Sequence, residues 1–558
     1  MAVLTSAFGS GFSRVFSSVL FESVSMGIII SHLWYNRGMK GKFFRENRYL
    51  LKPFLIIFLI YLVGISAIIL AGVHYADDVA RTNYGYAGWS GFSRYLSTIL
   101  SHGLHADNYL TNIAPLPQLL AVAILAVSSM IVITVVNGAE IFKEKWTRWI
   151  LPVIAVVPLG LCPYMLECLS YQYDAVYMAL SVFFVVMPFL FYRESRGKFV
   201  VFSVIGVLGA CMTYQVSAGI YPMLAIFVIM KDWNGKKIEN KEIIKNILLM
   251  VATFGLTLIL FQKVLMRPQD IYVSNEVPGL AEFFPSLFSH LSHYFELLFN
   301  DFRILWLVLV GIMMLEFVVV FVKKSERNKI LAAVLGMIGV GAMLLMSYLL
   351  YSALDKPLYT TRAMYAVGAF MAIIGVYAVS GDVFGKIAKK YVGKKTEMEM
   401  QMSVRISRFV LAIPVVMLAW CFFSFAFTYG NALKEQDTFK NMQIDMVISD
   451  LNEIVSDGKV RKVQAEGQIE FAPAVKHMPS GDYLILRRLL KPSYGTTPWM
   501  AYRLTEASGL NNLVYNPSAS SAAEDLSVLK DTALYIIYGD DEDILVRFKG
   551  EEFNIWED

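Results

Sequence analysis

Charge is scarce in this chain. Of 558 residues only 17% are Asp, Glu, Lys or Arg, against 56% hydrophobic, and that balance excludes a soluble globular protein. Cysteine is scarcer still, with four residues, Cys162, Cys168, Cys211 and Cys421. All four fall inside or at the ends of apolar runs, which reads as packing rather than as a disulfide framework, and no Cys-x-x-Cys spacing offers a metal site. A glycine-rich phosphate loop is missing, and no internal repeat is evident. Charged residues in or beside the apolar runs, such as Glu140, Lys263 and Glu316, read as lying in loops or near run ends, unlike the mid-membrane charges of a transporter or flippase. Net charge is only +4 and its positive part is scattered over separate loops, so nothing supports nucleic-acid binding.

What the chain has instead is long apolar runs. Those with spanning potential are 53–73, 113–136, 150–168, 174–192, 199–213, 215–230, 246–265, 304–322, 330–351, 363–380 and 409–428. A bilayer core of roughly 30 Å takes about 20 helical residues, so the reading is a polytopic α-helical membrane protein with about eleven crossings. Ahead of them, residues 1–52 carry seven basic residues. Val15–Tyr35 is interrupted by Glu22 and His32, which suggests an interfacial amphipathic segment and no cleavable leader.

Alternate connections differ sharply in charge. Residues 1–52 and loops 137–149, 193–198, 231–245, 323–329 and 381–408 hold 29 Lys+Arg, whereas loops 74–112, 169–173, 266–303 and 352–362 hold 6. The positive-inside rule makes the first set cytoplasmic. This places the protein in the cell membrane with its N-terminus inside and residues 430–558 outside. That last stretch is acidic, 13 Lys+Arg against 21 Asp+Glu, and reads as a small extracytoplasmic α/β domain. Its expected elements are a helix over 432–457, strands over 462–471 and 483–486, a helix over 499–508 and a hairpin over 533–548. Segment 199–230 must leave and return between two basic flanks. Two halves of about 15 residues would set the Tyr214-Gln215 turn below the outer surface, at the floor of a cavity.

The outer loops carry the chemistry. Asp77-Asp78 follows the first span directly, with Arg81 beside it, and acids so close to lipid need a partner, water or a task. Gly91–His105 and part of 266–303 show helical apolar spacing and read as helices lying flat on the leaflet. Glu167, Tyr173, Asp174 and Arg362 gather at the same face. Together they offer carboxylates to take a proton, cations for a phosphate and rings for sugar faces. Plain roles stay open: a helix cap for Asp77, Asp78 or Asp174, and headgroup anchoring for Arg362. His102/His105 and His290/His293 lack a carboxylate that would complete a metal motif.

Several elements together resemble a known family. Asp77-Asp78-Val79-Ala80-Arg81, Gly85-Tyr86-Ala87-Gly88-Trp89, Ser93-Arg94-Tyr95-Leu96 and Asn112-Ile113-Ala114-Pro115-Leu116-Pro117-Gln118 are similar to the bacterial glucosyl transferases that modify O-antigen and related surface polysaccharides. Tyr173-Asp174 and Tyr214-Gln215 fit the same pattern, while Ser93-Arg94-Tyr95 departs from a more usual Gly-Arg-Pro. The resemblance implies a GT-C-type membrane domain over 53–429. It implies a polyprenyl-phosphate sugar donor, a surface polysaccharide acceptor, no metal or other cofactor, and possible flippase and donor-synthase partners. Asp77 and Asp78 would then be catalytic, one as general base. Arg81, Trp89, Arg94, Glu167, Tyr173, Asp174, Tyr214, Gln215 and Arg362 would bind substrate. A polysaccharide ligase or polymerase, or a lipid-linked sugar flippase, is the alternative.

Overall fold

A computed structural model describes residues 47–236, 238–266, 276–380, 397–476, 484–490, 493–515 and 526–550. The expected interfacial segment before residue 47 therefore lies outside the described residues, as does most of the 381–408 loop. Each apolar run of the sequence is helical. Among the described residues seven helices are long and apolar enough to cross a membrane: Leu116–Asn137, Arg196–Thr213, Gln215–Asn234, Asn240–Leu265, Ile304–Lys324, Lys329–Met346 and Phe409–Asp457. An eighth crossing is available if Trp146–Leu161 and Pro163–Ser170, bent by 58°, form one span. The chain is thus a multi-pass membrane protein.

The remaining runs are interrupted or short. The first run divides into Leu51–Gly64 and Ser66–Ala71 around Ile65. The third breaks at Val156 and Cys162, with Pro158 and Pro163 in the first turns of the pieces that follow, where a missing N–H is tolerated, while Pro152 lies inside Trp146–Ala155. Ala175–Val186 with Met187–Leu190, and Ala366–Val379, are shorter apolar helices. These short pieces form the centre: every residue of Ala366–Val379 and of Pro163–Ser170 is buried. Close approach needs small residues there. A Cβ on Gly368 would lie 2.4 Å from the Pro158 carbonyl oxygen, and one on Gly206 2.3 Å from that of Phe184. Longer helices surround this centre and turn bare apolar side chains outward, among them Leu248, Leu256, Leu315, Ile338 and Trp420. Such an apolar exterior suits lipid.

Glu316 differs from its sequence reading: it lies mid-way along Ile304–Lys324 rather than near an end. The two stretches expected to lie on the leaflet are helical, Tyr95–His105 and Leu280–Asp301. The first, however, buries Leu96, Ser97 and Ser101 and exposes Ile99. Its serines meet polar backbone inside, Ser97 donating to the Thr213 carbonyl, and Leu96, Leu100 and Leu104 pack on the apolar cores beside them.

Glu397–Ile454 is one helix of 58 residues that runs from the membrane into the C-terminal domain. There Ile444, Val447 and Leu451 pack on a mixed sheet. Its strands are β1 (Arg461–Ile469), β2 (Ser493–Tyr494), β3 (Leu513–Tyr515), β4 (Ser527–Asp531), β5 (Tyr535–Gly539) and β6 (Asp543–Lys549), in the order β2-β1-β6-β5-β4 with β3 also on β1. β5 and β6 form the expected hairpin, and β6 lies parallel to β1.

The strand expected over 483–486 is instead a helix, Leu484–Leu490, with residue 483 outside the described residues. Ile485, Leu486, Leu489 and Leu490 recur at helical spacing and bury together, joining the core of the membrane body rather than that of the sheet. Arg488 donates to Asp301 and to the Tyr359 carbonyl, and the Tyr164 hydroxyl donates to the same Asp301 carboxylate at 2.7 Å. The domain is tied to the membrane body by this helix as well as by the long one.

Candidate active site

After the first apolar run the chain turns through Tyr75-Ala76-Asp77 into the short helix Asp78–Tyr84. The two acids part company at this helix start. Asp78 is fully buried and accepts three backbone N–H groups: Tyr75 at 3.1 Å, Gln172 at 2.9 Å and Tyr173 at 3.3 Å. It clasps the 75–78 turn to the 171–174 turn. Burial pushes its carboxyl well above the ordinary carboxylate range, against the downward pull of the Gln172 N–H. Asp77 keeps 43% of its side chain exposed and sits 3.7 Å from Arg81.

Arg81, one helical turn on, points inward with 5% of its side chain exposed. It pairs with Asp174 at 3.4 Å and stacks on the Trp89 ring at 4.3 Å. Burial opposes its charge, while Asp174, Asp77 and Asp78 hold it above the ordinary value. Trp89 is buried and donates its indole N–H to Asp174. Asp174 occupies the cap position of Ala175–Val186 but makes no capping bond, because its carboxylate is engaged by Trp89 and Arg81. Tyr173 is buried, stacks on His105 and shares Thr82 with His74, the two bonds measuring 3.2 and 3.0 Å.

A second group adjoins the first. The Tyr214-Gln215 turn joins Arg196–Thr213 to the 3-10 turn Gln215–Gly219, and Tyr214 is buried. The helix entering it has 18 residues rather than about 15. Gln215 accepts from Arg94 Nε at 3.1 Å and donates to the Phe92 carbonyl at 2.9 Å. Arg94 lies 4.5 Å above the Tyr214 ring. The Tyr214 hydroxyl donates to the Arg362 carbonyl at 3.3 Å, and the Arg362 guanidinium donates to the Tyr171 hydroxyl. Burial works against the Arg362 charge, yet Tyr171, Tyr214, Glu167 and Asp77 hold it well above its ordinary value. Glu167 is fully buried beneath, accepting from Thr361.

All eleven candidate residues therefore fall in two adjoining groups, but only Asp77, Arg94, Gln215 and Arg362 keep partial exposure. Sequence reasoning passed over Thr82, Tyr75 and Thr361. Thr82 carried a usable signal, since it stands four residues after Asp78 and so shares its helix face.

A family model for glucosyl transferase GtrII matches residues 66–378, more than half of the chain. The chain belongs to the glucosyl transferase GtrII family. The family's description is that of a glucosyl transferase, and the apolar helices of this chain suit a membrane member. All the candidate residues lie within the matched stretch, and the sheet domain lies beyond it. The chain is also 22% identical over 229 residues to a protein of Salmonella phage P22 described as an uncharacterized 55.3 kDa protein in the gtrB 5' region. That similarity covers 40% of this chain and 45% of the phage protein. No solved structure matches.

Proposed function

We propose that this GtrII protein moves a glucosyl unit from a polyprenyl-phosphate carrier to a surface polysaccharide on the extracytoplasmic face. The observation that carries the reading is the asymmetry of the acid pair: Asp77 is the acid of this cluster with an open carboxylate, in a site that also holds Arg94 and Arg362. Asp77 takes the proton of an acceptor hydroxyl as that oxygen attacks the anomeric carbon. The bond from that carbon to the phosphate oxygen breaks, and the polyprenyl phosphate departs with the bonding pair. Arg94 and Arg362 stabilise its charge. Arg81, locked against Asp174, and the buried Asp78 hold the scaffold. The reading assigns no step to a metal or a nucleotide.

The same reading takes the membrane domain as GT-C-type with eleven crossings, the N-terminus cytoplasmic and the acid pair outside. The 29-to-6 distribution of basic residues between alternate loops supports it. The test is to incubate purified protein with polyprenyl-phosphate glucose and isolated surface glycans and follow loss of the lipid-linked sugar. Consumption is expected with wild type and not with Asp77→Asn. Full consumption by that variant would discard the role given to Asp77.

A further inference from the structure

The Gly85-Tyr86-Ala87-Gly88 turn leaves two tyrosine rings lying against bare backbone. Gly85 and Gly88 both adopt left-handed conformations, at φ +60° and +71°. A Cβ on Gly85 would stand 2.4 Å from the Tyr109 ring, and one on Gly88 2.6 Å from the Tyr86 ring. Glycine at these two positions is therefore what lets each ring settle flat on the chain. Their other surfaces are open, with Tyr109 51% and Tyr86 41% exposed. Tyr109 is further fixed by its hydroxyl, which donates to the Asn83 carbonyl at 3.2 Å.

The row continues into the C-terminal domain. Tyr84, 48% exposed, meets the Tyr502 ring edge-on at 5.5 Å and donates its hydroxyl to Glu506 at 3.0 Å. At its inner end the Tyr86 ring lies 5.9 Å from the guanidinium of Arg81, the residue that pairs with Asp77. Open, rigid aromatic rings that start beside the proposed base have no need of a charged ligand. They suit the apolar C–H face of a pyranose, and the Glu506 carboxylate, which already accepts from Tyr84, has lone pairs left for a sugar O–H group.

We propose that Tyr86, Tyr109, Tyr84 and Tyr502 form the acceptor subsite, a platform over which a polysaccharide chain lies while one of its hydroxyls reaches Asp77. This inference rests on the glucosyl-transfer reading and extends it, giving the C-terminal domain a share in acceptor choice through Tyr502 and Glu506. The two can be tested apart. Full-length protein in nanodiscs is exposed to an array of bacterial surface-polysaccharide fragments with no donor present, so retention of glycan owes nothing to transfer. Retention is expected in wild type. It should fall roughly 2–10-fold for each of Tyr109→Ala and Tyr502→Ala, and return with the Phe variants. Tyr109→Leu keeps apolar bulk over Gly85 without an aromatic face and should also fail, which separates stacking from a folding defect. Undiminished retention by the Ala and Leu variants, or no fragment retained by wild type, overturns the platform. Retention without transfer would leave the platform standing and remove the proposed reaction.

Discussion

Asp77 and Asp78 are adjacent in the chain and opposite in setting: Asp78 is buried under three backbone N–H donors, while 43% of the Asp77 side chain stays exposed beside Arg81. Their substitutions should therefore fail in different ways. Asp77→Asn should lower transfer by roughly 10²–10⁴-fold with normal expression and melting temperature. Asp78→Asn turns an amide N–H₂ toward a backbone N–H, so it should cost about 1–3 kcal/mol of stability. Melting curves and steady-state transfer, measured on both variants, separate the two losses. Equal loss of activity at equal stability would contradict this division.

The cations divide in the same manner. Arg362→Lys keeps a charge but not the planar fork, so donor KM should rise partially, and Arg362→Ala should raise it further. Arg94→Ala should act similarly, and Gln215→Ala more weakly, since Gln215 orients Arg94 through its amide oxygen. Arg81→Ala should instead destabilise the fold by about 3–5 kcal/mol, because it strands the buried Asp174 carboxylate. A donor KM unchanged in Arg94→Ala and Arg362→Ala would leave both as headgroup anchors.

The Arg488–Asp301 pair supplies a pH test. Burial raises the Asp301 carboxyl to about 6 even with Arg488 beside it. An acid raised on folding binds more protons in the folded state, so its contribution to stability falls as pH rises from the ordinary value of 3.8 through about 6. Arg488→Met removes the cation and raises the carboxyl further. Its destabilisation relative to wild type should be greatest near pH 8 and shrink toward pH 5, as Asp301 takes its proton. A destabilisation independent of pH would show that lost packing, not the stranded charge, is the cause.

Orientation is accessible to labelling. Single cysteines at Tyr109 and Asp540 should react with an impermeant reagent from outside intact cells, and one at Lys236 should react only after permeabilisation. Outside labelling at position 236 would reverse the assigned topology.

The membrane character of the chain, the places of its long apolar helices and the gathering of the candidate residues are legible in the sequence. Hydropathy is a property of local composition, and the bilayer fixes the length a helix needs. The C-terminal hairpin is legible for a related reason, since its acidic turn and alternating flanks are local signals. Leu484–Leu490 was harder. Its four buried apolar residues satisfy a helix or a buried strand until a partner surface chooses, and the choice fell to the membrane body. The mixed face that Tyr95–His105 buries was decided by packing too: Ser97 meets the Thr213 carbonyl and so goes inside beside Leu96.

The acid pair marks the same boundary. By itself the sequence determined that two carboxylates stand at a membrane edge with arginines and tyrosines near. Which of them is open and which is a clasp was decided by tertiary structure, because the donors that bury Asp78 come from Gln172 and Tyr173, more than ninety residues away. The glycine turn is similar: glycines at 85 and 88 announce a tight backbone, but only the fold brings Tyr109 onto it and the C-terminal Tyr502 alongside Tyr84. Local chemistry sets which groups are available. Long-range packing sets which of them water, lipid and substrate can reach.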